Sequence, residues 1–313
     1  MRNQAALIVA VLIGIAVAIQ SRLNGTLGTR IHDGVAAAIV SFGSGLVVLV
    51  VFTLVSAARR ARMAEVVTAV RTGRLKWWHC VGGLAGASAV ASQGITVTTI
   101  GVALFTVAIV AGQVVSGVLV DRAGLGPSGR SPITARRIAG AAIVLAAVAI
   151  ASHSSITSGT NWLFVVFPVV AGAATAWQMA VNGRVAAVGG PMSSALVNFI
   201  VGTSALLVVG AIVVANRGWP GALPHEPWLY LGGLLGILFI AVSARIVHGL
   251  GVLLLALATI AGQLIGALAL DVFVPAGRHL NWGVVVGCVL ALVGVWVGRR
   301  GGTQPGHDQG GTE

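Results

Sequence analysis

The sequence predicts an all-α integral membrane protein with ten transmembrane helices, arranged as two inverted five-helix repeats with both termini in the cytoplasm. Composition predicts the class: 57% of the 313 residues are hydrophobic and only 8% are charged, too few to cover the surface of a soluble domain. The apolar runs show no β-barrel alternation, so helices must satisfy the backbone hydrogen bonds in lipid. An internal repeat, described below, predicts the inverted arrangement.

Ten apolar runs, separated by glycine, proline or charge, are long enough to cross a bilayer as helices. Residues 80–120 contain no charged side chain and are about twice the length of one span, so they form two helices with a turn at 98–102. The predicted spans are 5–21, 33–57, 78–99, 102–120, 136–152, 162–181, 191–215, 228–247, 251–271 and 281–298.

The basic residues predict the orientation. With cytoplasmic termini, fifteen of the 19 Lys and Arg residues face the cytoplasm, including the basic linker at 59–76. The four on the outside are Arg22, Arg30, Arg217 and Arg278. Ala16-Val17-Ala18 also fits a signal-peptide cleavage site. However, the same glutamine and asparagine pattern recurs after an internal span, which cannot be a signal peptide. We therefore interpret the first segment as a permanent helix.

The repeat begins with "AIQSRLNGTLG" from Ala18, which corresponds to "AWQMAVNGRVA" from Ala176. At successive offsets of 158, 157 and 150 residues, polar positions pair as Gln20/Gln178, Asn24/Asn182, Ser41/Asn198, Gln113/Gln263 and Asp121/Asp271. The repeats are 1–152 and 153–298, and 299–313 is predicted to be a disordered cytoplasmic tail. Five helices per repeat force the second repeat to start from the opposite membrane face, an arrangement typical of secondary transporters.

The chain resembles the YdcZ-type inner-membrane exporters of the drug/metabolite transporter superfamily, in their fused ten-helix form. The resemblance rests on "QSRLNGTLG" with "AIVSFGSGLVVL", on "WQMAVNGRVAAVGGPMSSALVNFIVGTSALLVV", and on an "AGQ" helix in each half. It implies a secondary transporter of the cytoplasmic membrane that exports a small organic metabolite or drug and needs neither cofactor nor enzymatic chemistry. A channel-like or lipid-translocating protein and a non-transporting scaffold stay open as alternatives.

Paired amides are the candidate substrate-binding residues. Gln113 and Gln263 lie among small residues within their helices, where they either join neighbouring helices or face a substrate cavity. The two Gln–Asn pairs at the ends of the first and sixth spans either cap and pack the helices or line the cavity, because residues four apart share a helix face. The candidates are Gln20, Asn24, Gln178, Asn182, Gln113, Gln263, Ser41 and Asn198.

Three charged residues are candidates for gating or coupling. Asp121 and Asp271 end equivalent helices on opposite faces, where a carboxylate suits either a gate or a solvated interface. Arg245 interrupts the eighth span near the cytoplasm, where it either snorkels to the interface or binds an anion. The polar face at 92–99 is interpreted as hydroxyls that bond their own helix.

Other chemistry is not indicated. The net charge of +12 comes from short basic clusters between apolar runs rather than from one basic face, so we expect no nucleic-acid partner. Cys80 and Cys288 lie in separate spans and are interpreted as packing residues. No residues have the spacing of a metal site, and the partners expected are the small substrate and membrane lipid, with homodimer formation left open.

Overall fold

Every regular element in the described part of the chain is a helix. The computed structural model describes residues 2–127, 129–130, 133–157, 162–273 and 282–299. The α-helices are α1 (Arg2–Arg30), α2 (Gly34–Leu54), α3 (Ala57–Arg71), α4 (Gly83–Ala123), α5 (Ala135–Thr157), α6 (Leu163–Arg217), α7 (Gly232–Leu250), α8 (Val252–Phe273) and α9 (Trp282–Arg299). Short 3₁₀ turns, Trp77–Gly82 and Pro227–Leu231, lead into α4 and α7. The protein is therefore all-α.

Six helices among the described residues are long and apolar enough to cross a membrane. Two shorter apolar stretches, Leu254–Leu270 and Val285–Gly294, lie in α8 and α9. The predicted tail at 299–313 and the predicted outer loop that carries Arg278 lie outside the described residues, except for the backbone of Arg299.

The 55-residue α6 is a hairpin rather than one straight rod. The Ser194 hydroxyl donates a 2.8 Å hydrogen bond to the Asn182 carbonyl oxygen, whereas residues twelve apart lie about 18 Å apart along a straight helix. The chain reverses at Gly190, whose φ of 84° and ψ of 169° belong to a region that only glycine occupies readily. α6 therefore contains the predicted sixth and seventh spans.

α4 bends in the same way at Gly101, with φ 84° and ψ 160°. Residues of both limbs, such as Ala89 and Gln113, line one cavity, although 24 residues of straight helix would separate them by about 36 Å. Gly251, which is Gly101's counterpart at offset 150, has φ 75° and ψ 165° and separates α7 from α8. With the limbs of α4 and α6 counted separately and α3 left aside, the described helices overlap the ten predicted spans in chain order.

The helix ends predicted at the two Asn-Gly pairs are wrong. α1 continues past Asn24 to Arg30, and α6 continues past Asn182 into its Gly190 turn. The glycines serve packing instead: a methyl group on Gly25 would lie 2.8 Å from Val97 Cγ1, and one on Gly183 would lie 2.7 Å from Val247 Cγ1. Close approach of neighbouring helices, not helix termination, requires the small residue at these positions.

The basic linker contains a helix, α3, that hydropathy did not predict because its residues are too polar to span a membrane. Val66 and Ala69 form its buried side, and Val66 lies against Gly189 of α6. Arg62 lies beside the Gly190 turn. α3 is therefore packed against the turn of the α6 hairpin.

Candidate substrate-binding site

A cavity of about 50 Å³ lies among α1, α2, α4, α6, α7 and α8. In this conformation the volume is enough for a few water molecules. The lining residues are Val17, Gln20, Ser41, Phe42, Gly86, Ala89, Val90, Gln93, Phe105, Ile109, Gln113, Thr175, Gln178, Phe199, Gly236, Phe239, Ile240 and Gln263.

The lining is paired between the two halves of the sequence. Seven pairs share the repeat offsets: Val17/Thr175, Gln20/Gln178, Phe42/Phe199, Gly86/Gly236, Ala89/Phe239, Val90/Ile240 and Gln113/Gln263. Five of the eight predicted binding residues, namely the four glutamines of these pairs and Ser41, thus line one cavity.

The paired residues make matching contacts across the halves. A methyl group on Gly86 would lie 3.1 Å from Gln178 Nε2 and 3.2 Å from Phe42 Cζ. One on its counterpart Gly236 would lie 3.1 Å from Gln20 Nε2 and 3.2 Å from Phe199 Cζ. Each glycine thus admits the glutamine of the opposite half to the cavity wall.

Several polar atoms of the lining lack a hydrogen-bond partner within the described part of the protein. They are Gln113 Oε1, Gln178 Oε1, Gln263 Nε2 and Ser41 Oγ, and all four side chains are buried. A buried polar atom without a partner costs about 1–3 kcal/mol. The cavity can therefore supply hydrogen bonds to a molecule that enters it.

The three predicted asparagines do not line the cavity but join helices beside it. Asn24 Nδ2 donates to Gln93 Oε1 at 2.7 Å, and Asn198 Nδ2 donates to Asn182 Oδ1 at 3.2 Å. Asn24 Oδ1 faces Gly232 at the start of α7, while Asn182 Oδ1 faces the equivalent Gly82 before α4.

Asp121 is buried at the end of α4. Its Oδ1 accepts a 3.1 Å hydrogen bond from the Val252 N–H, the first residue of α8, and its Oδ2 lies 3.7 Å from Arg137 Nη1 of α5. The carboxylate therefore caps α8 from another helix, where negative charge is favourable. A solvated interface position is the wrong interpretation for Asp121.

The other two charged candidates lie elsewhere. Arg245 is an exposed residue of α7 and is not part of the cavity lining. The side chain of Asp271 lies outside the described residues.

The sequence did not identify Gln93 or the phenylalanines as site residues. Thr96 and Ser92 do bond their own helix, as predicted for the polar face at 92–99, but Gln93 on that face reaches the cavity and Asn24. Phe42 and Phe199 lie with ring centroids 4.8 Å apart. Phe42 and Phe199 are related by the same repeat offset as Ser41 and Asn198, which the sequence shows. Apolar residues are abundant in a membrane protein, however, so they carry no signal of function by themselves.

Comparison with known proteins agrees with the architecture. Residues 5–150 and 163–297 match the family described as "Putative inner membrane exporter, YdcZ". The chain belongs to this family. The YdcZ match covers both halves and makes the protein a multi-pass protein of the inner membrane, in an exporter family rather than an enzyme class.

A solved structure described as "Crystal structure of protein" superposes on this YdcZ-family chain with a TM-score of 0.58, at 18% identity over 94% of each chain. At this identity the likeness shows the fold alone. No curated protein matches the chain.

Proposed function

We propose that the protein is a secondary transporter that exports a small organic metabolite or drug by alternating access between two inverted five-helix halves, with both termini cytoplasmic. The observation that carries the proposal is the cavity itself, which is lined by seven repeat-related residue pairs from the two halves. In transporters built from inverted repeats, one central site lies between the halves and opens to each membrane face in turn.

Contacts at the two ends of the bundle support the inversion. At one end Arg30 lies 3.3 Å from Glu226, and Gly221 N–H donates to the Ile31 carbonyl at 3.0 Å. At the other end Arg184 donates to the carbonyls of Gly124 and Leu125. In the proposed inverted topology, Asn24 and Asn182 lie towards opposite ends of the bundle, as an odd number of helices per half requires.

Within this mechanism the glutamines and Ser41 bind the substrate, while Asn24, Asn182 and Asn198 hold the cavity walls together. Asp121 is a gating residue, since it connects α4, α5 and the start of α8 at the cytoplasmic end. We expect Asp121→Asn to change the transport rate while the protein stays folded. An unchanged rate would contradict the gating role, and Arg245→Gln, at an exposed position, is the comparison variant.

Counterflow in proteoliposomes tests the proposal. Vesicles are loaded with a pool of unlabelled small metabolites, and entry of labelled members of the same pool is followed over time. A carrier gives saturable uptake that trans substrate accelerates. Non-saturating flux would indicate a channel, movement of labelled lipid would indicate a lipid-translocating protein, and no flux of any kind would favour a scaffold.

A further inference from the structure

We propose that the molecule bound in the central cavity carries no formal charge and combines hydrogen-bond donors and acceptors with a flat apolar portion. This inference rests on the proposed function, because it specifies the substrate of the same site. It names the chemical class: neutral amides, lactams, ureas or nucleobase-like rings, as opposed to carboxylates, phosphates, ammonium compounds and zwitterions.

The charge state follows from the cavity wall. Five glutamines, one serine and one threonine supply the polar groups, and none of the described residues that line the cavity has an ionisable side chain. Moving an ion from water into such a site without an opposite charge carries a large free-energy penalty, whereas a neutral polar group needs only hydrogen bonds. A zwitterion would require one oppositely charged partner for each of its two charges. The wall therefore favours an uncharged ligand.

The hydrogen-bond pattern follows from the unpaired amide groups. A glutamine side chain offers one acceptor and two donor hydrogens. Within the described part of the chain, the amide atoms of the lining that have no partner belong to three different glutamines, Gln113, Gln178 and Gln263, which lie in α4, α6 and α8. A ligand that pairs with them must present both donors and acceptors, since an amide left half-paired keeps its desolvation cost.

The apolar portion follows from four phenylalanines in the same wall. Phe42 and Phe199 are in mutual contact, with ring centroids 4.8 Å apart, and Phe105 and Phe239 complete the set. Aromatic rings pack best against flat or edge-on apolar groups. The phenylalanine rings also separate the amides from one another. The wall therefore suits a dehydrated metal ion poorly, because ion sites require a closed shell of oxygen ligands.

The test divides a small-molecule extract of the expression host by charge. A strong cation exchanger removes cations and zwitterions, a strong anion exchanger then removes anions, and the uncharged molecules flow through. Each pool is added to the purified full-length protein and its thermal midpoint Tm is measured. We expect the uncharged pool to raise Tm by at least about 2 °C, because a ligand at a concentration well above its Kd stabilises the folded protein by this order of magnitude.

Variants assign the shift to the cavity. Gln113→Leu combined with Gln263→Leu should abolish the shift. Thr106→Val should retain it, because Thr106 is buried in the same limb as Gln113 but bonds the Val102 carbonyl of its own helix and does not line the cavity. The folded state of each variant is checked by its own Tm without added pool.

The outcomes separate the two proposals. A shift confined to a charged pool and lost in the double Gln variant would overturn the uncharged class while leaving a transporter in place. A shift from the uncharged pool that survives in the double Gln variant would also overturn it, because the ligand would then bind elsewhere. If no pool changes Tm and counterflow is absent, the proposed function itself fails, and the inference fails with it.

Discussion

At the scale of single residues, the cavity glutamines are locally unfavourable. Gln113 and Gln263 are both 2% exposed, and each leaves a polar atom without a partner in the described protein. If these amides only joined neighbouring helices, each would be hydrogen-bonded to a polar group of the adjacent helix. Unsatisfied amides at repeat-paired positions instead fit groups whose partner is the transported molecule.

We predict that Gln113→Leu and Gln263→Leu each lower counterflow at least about tenfold, the effect of losing roughly 1.4 kcal/mol of binding. Tm without ligand should stay the same or rise, because leucine fills a similar volume and has no unpaired polar atom. Thr106→Val is the matched control for both measurements. Normal counterflow in the leucine variants would show that the amides do not contact the substrate.

At the scale of elements, glycines that reverse the chain set the geometry of the site. Gly101, Gly190 and Gly251 have φ values from 75° to 84° with extended ψ, and they make the α4 and α6 hairpins and the α7–α8 break. Gly251 is also adjacent to Val252, which Asp121 caps. A substitution at Gly251 is therefore expected to alter both the backbone of the turn and the proposed cytoplasmic gate at Asp121.

We predict that Gly251→Ala destabilises the protein by about 1–3 kcal/mol, because a side chain forces this backbone conformation out of its allowed region. Gly249→Ala is the control: Gly249, two residues before Gly251, is helical and exposed, and no atom lies within 4 Å of the added methyl group. That variant should stay within about 1 kcal/mol of the parent. Thermal unfolding of both variants in one detergent measures the difference, and equal stabilities would contradict a strained requirement for glycine at 251.

At the scale of the whole molecule, the two ends of the bundle differ in charge and contacts. One end carries α3, with its four arginines, and the Arg184 contacts to Gly124 and Leu125. The other end carries the Arg30–Glu226 pair and the contact between Ile31 and Gly221. The excess of basic residues predicts that the α3 end faces the cytoplasm.

Cysteine labelling tests this orientation. In a Cys80→Ala, Cys288→Ala background, Ala61→Cys lies on exposed α3 and Ala222→Cys lies in the exposed loop after α6. A membrane-impermeant maleimide added to intact cells should label residue 222 and not residue 61, and cell lysis should expose residue 61. Equal labelling in intact cells would contradict the proposed topology, and the cysteine-free parent reports background.

The sequence by itself determined the membrane class, the approximate positions of the apolar helices, the family and most of the cavity glutamines. Hydropathy is a local property of each segment, and the lack of charge in residues 80–120 predicts two helices whatever packs around them. The repeat works in the same way, since equal spacing of Gln20/Gln178 and Gln113/Gln263 can be measured along the chain.

Only the tertiary structure decided which polar residues meet. Asn24 looked like a helix cap, but Gln93, 69 residues away, is its hydrogen-bond partner. Phe42 and Phe199 were only repeat counterparts in the sequence, but they pack against each other in the cavity wall. Asp121 looked solvated, but it caps a helix that begins 131 residues later. Such contacts depend on how distant segments cross in space, and no local pattern of hydropathy, spacing or helix propensity encodes that crossing.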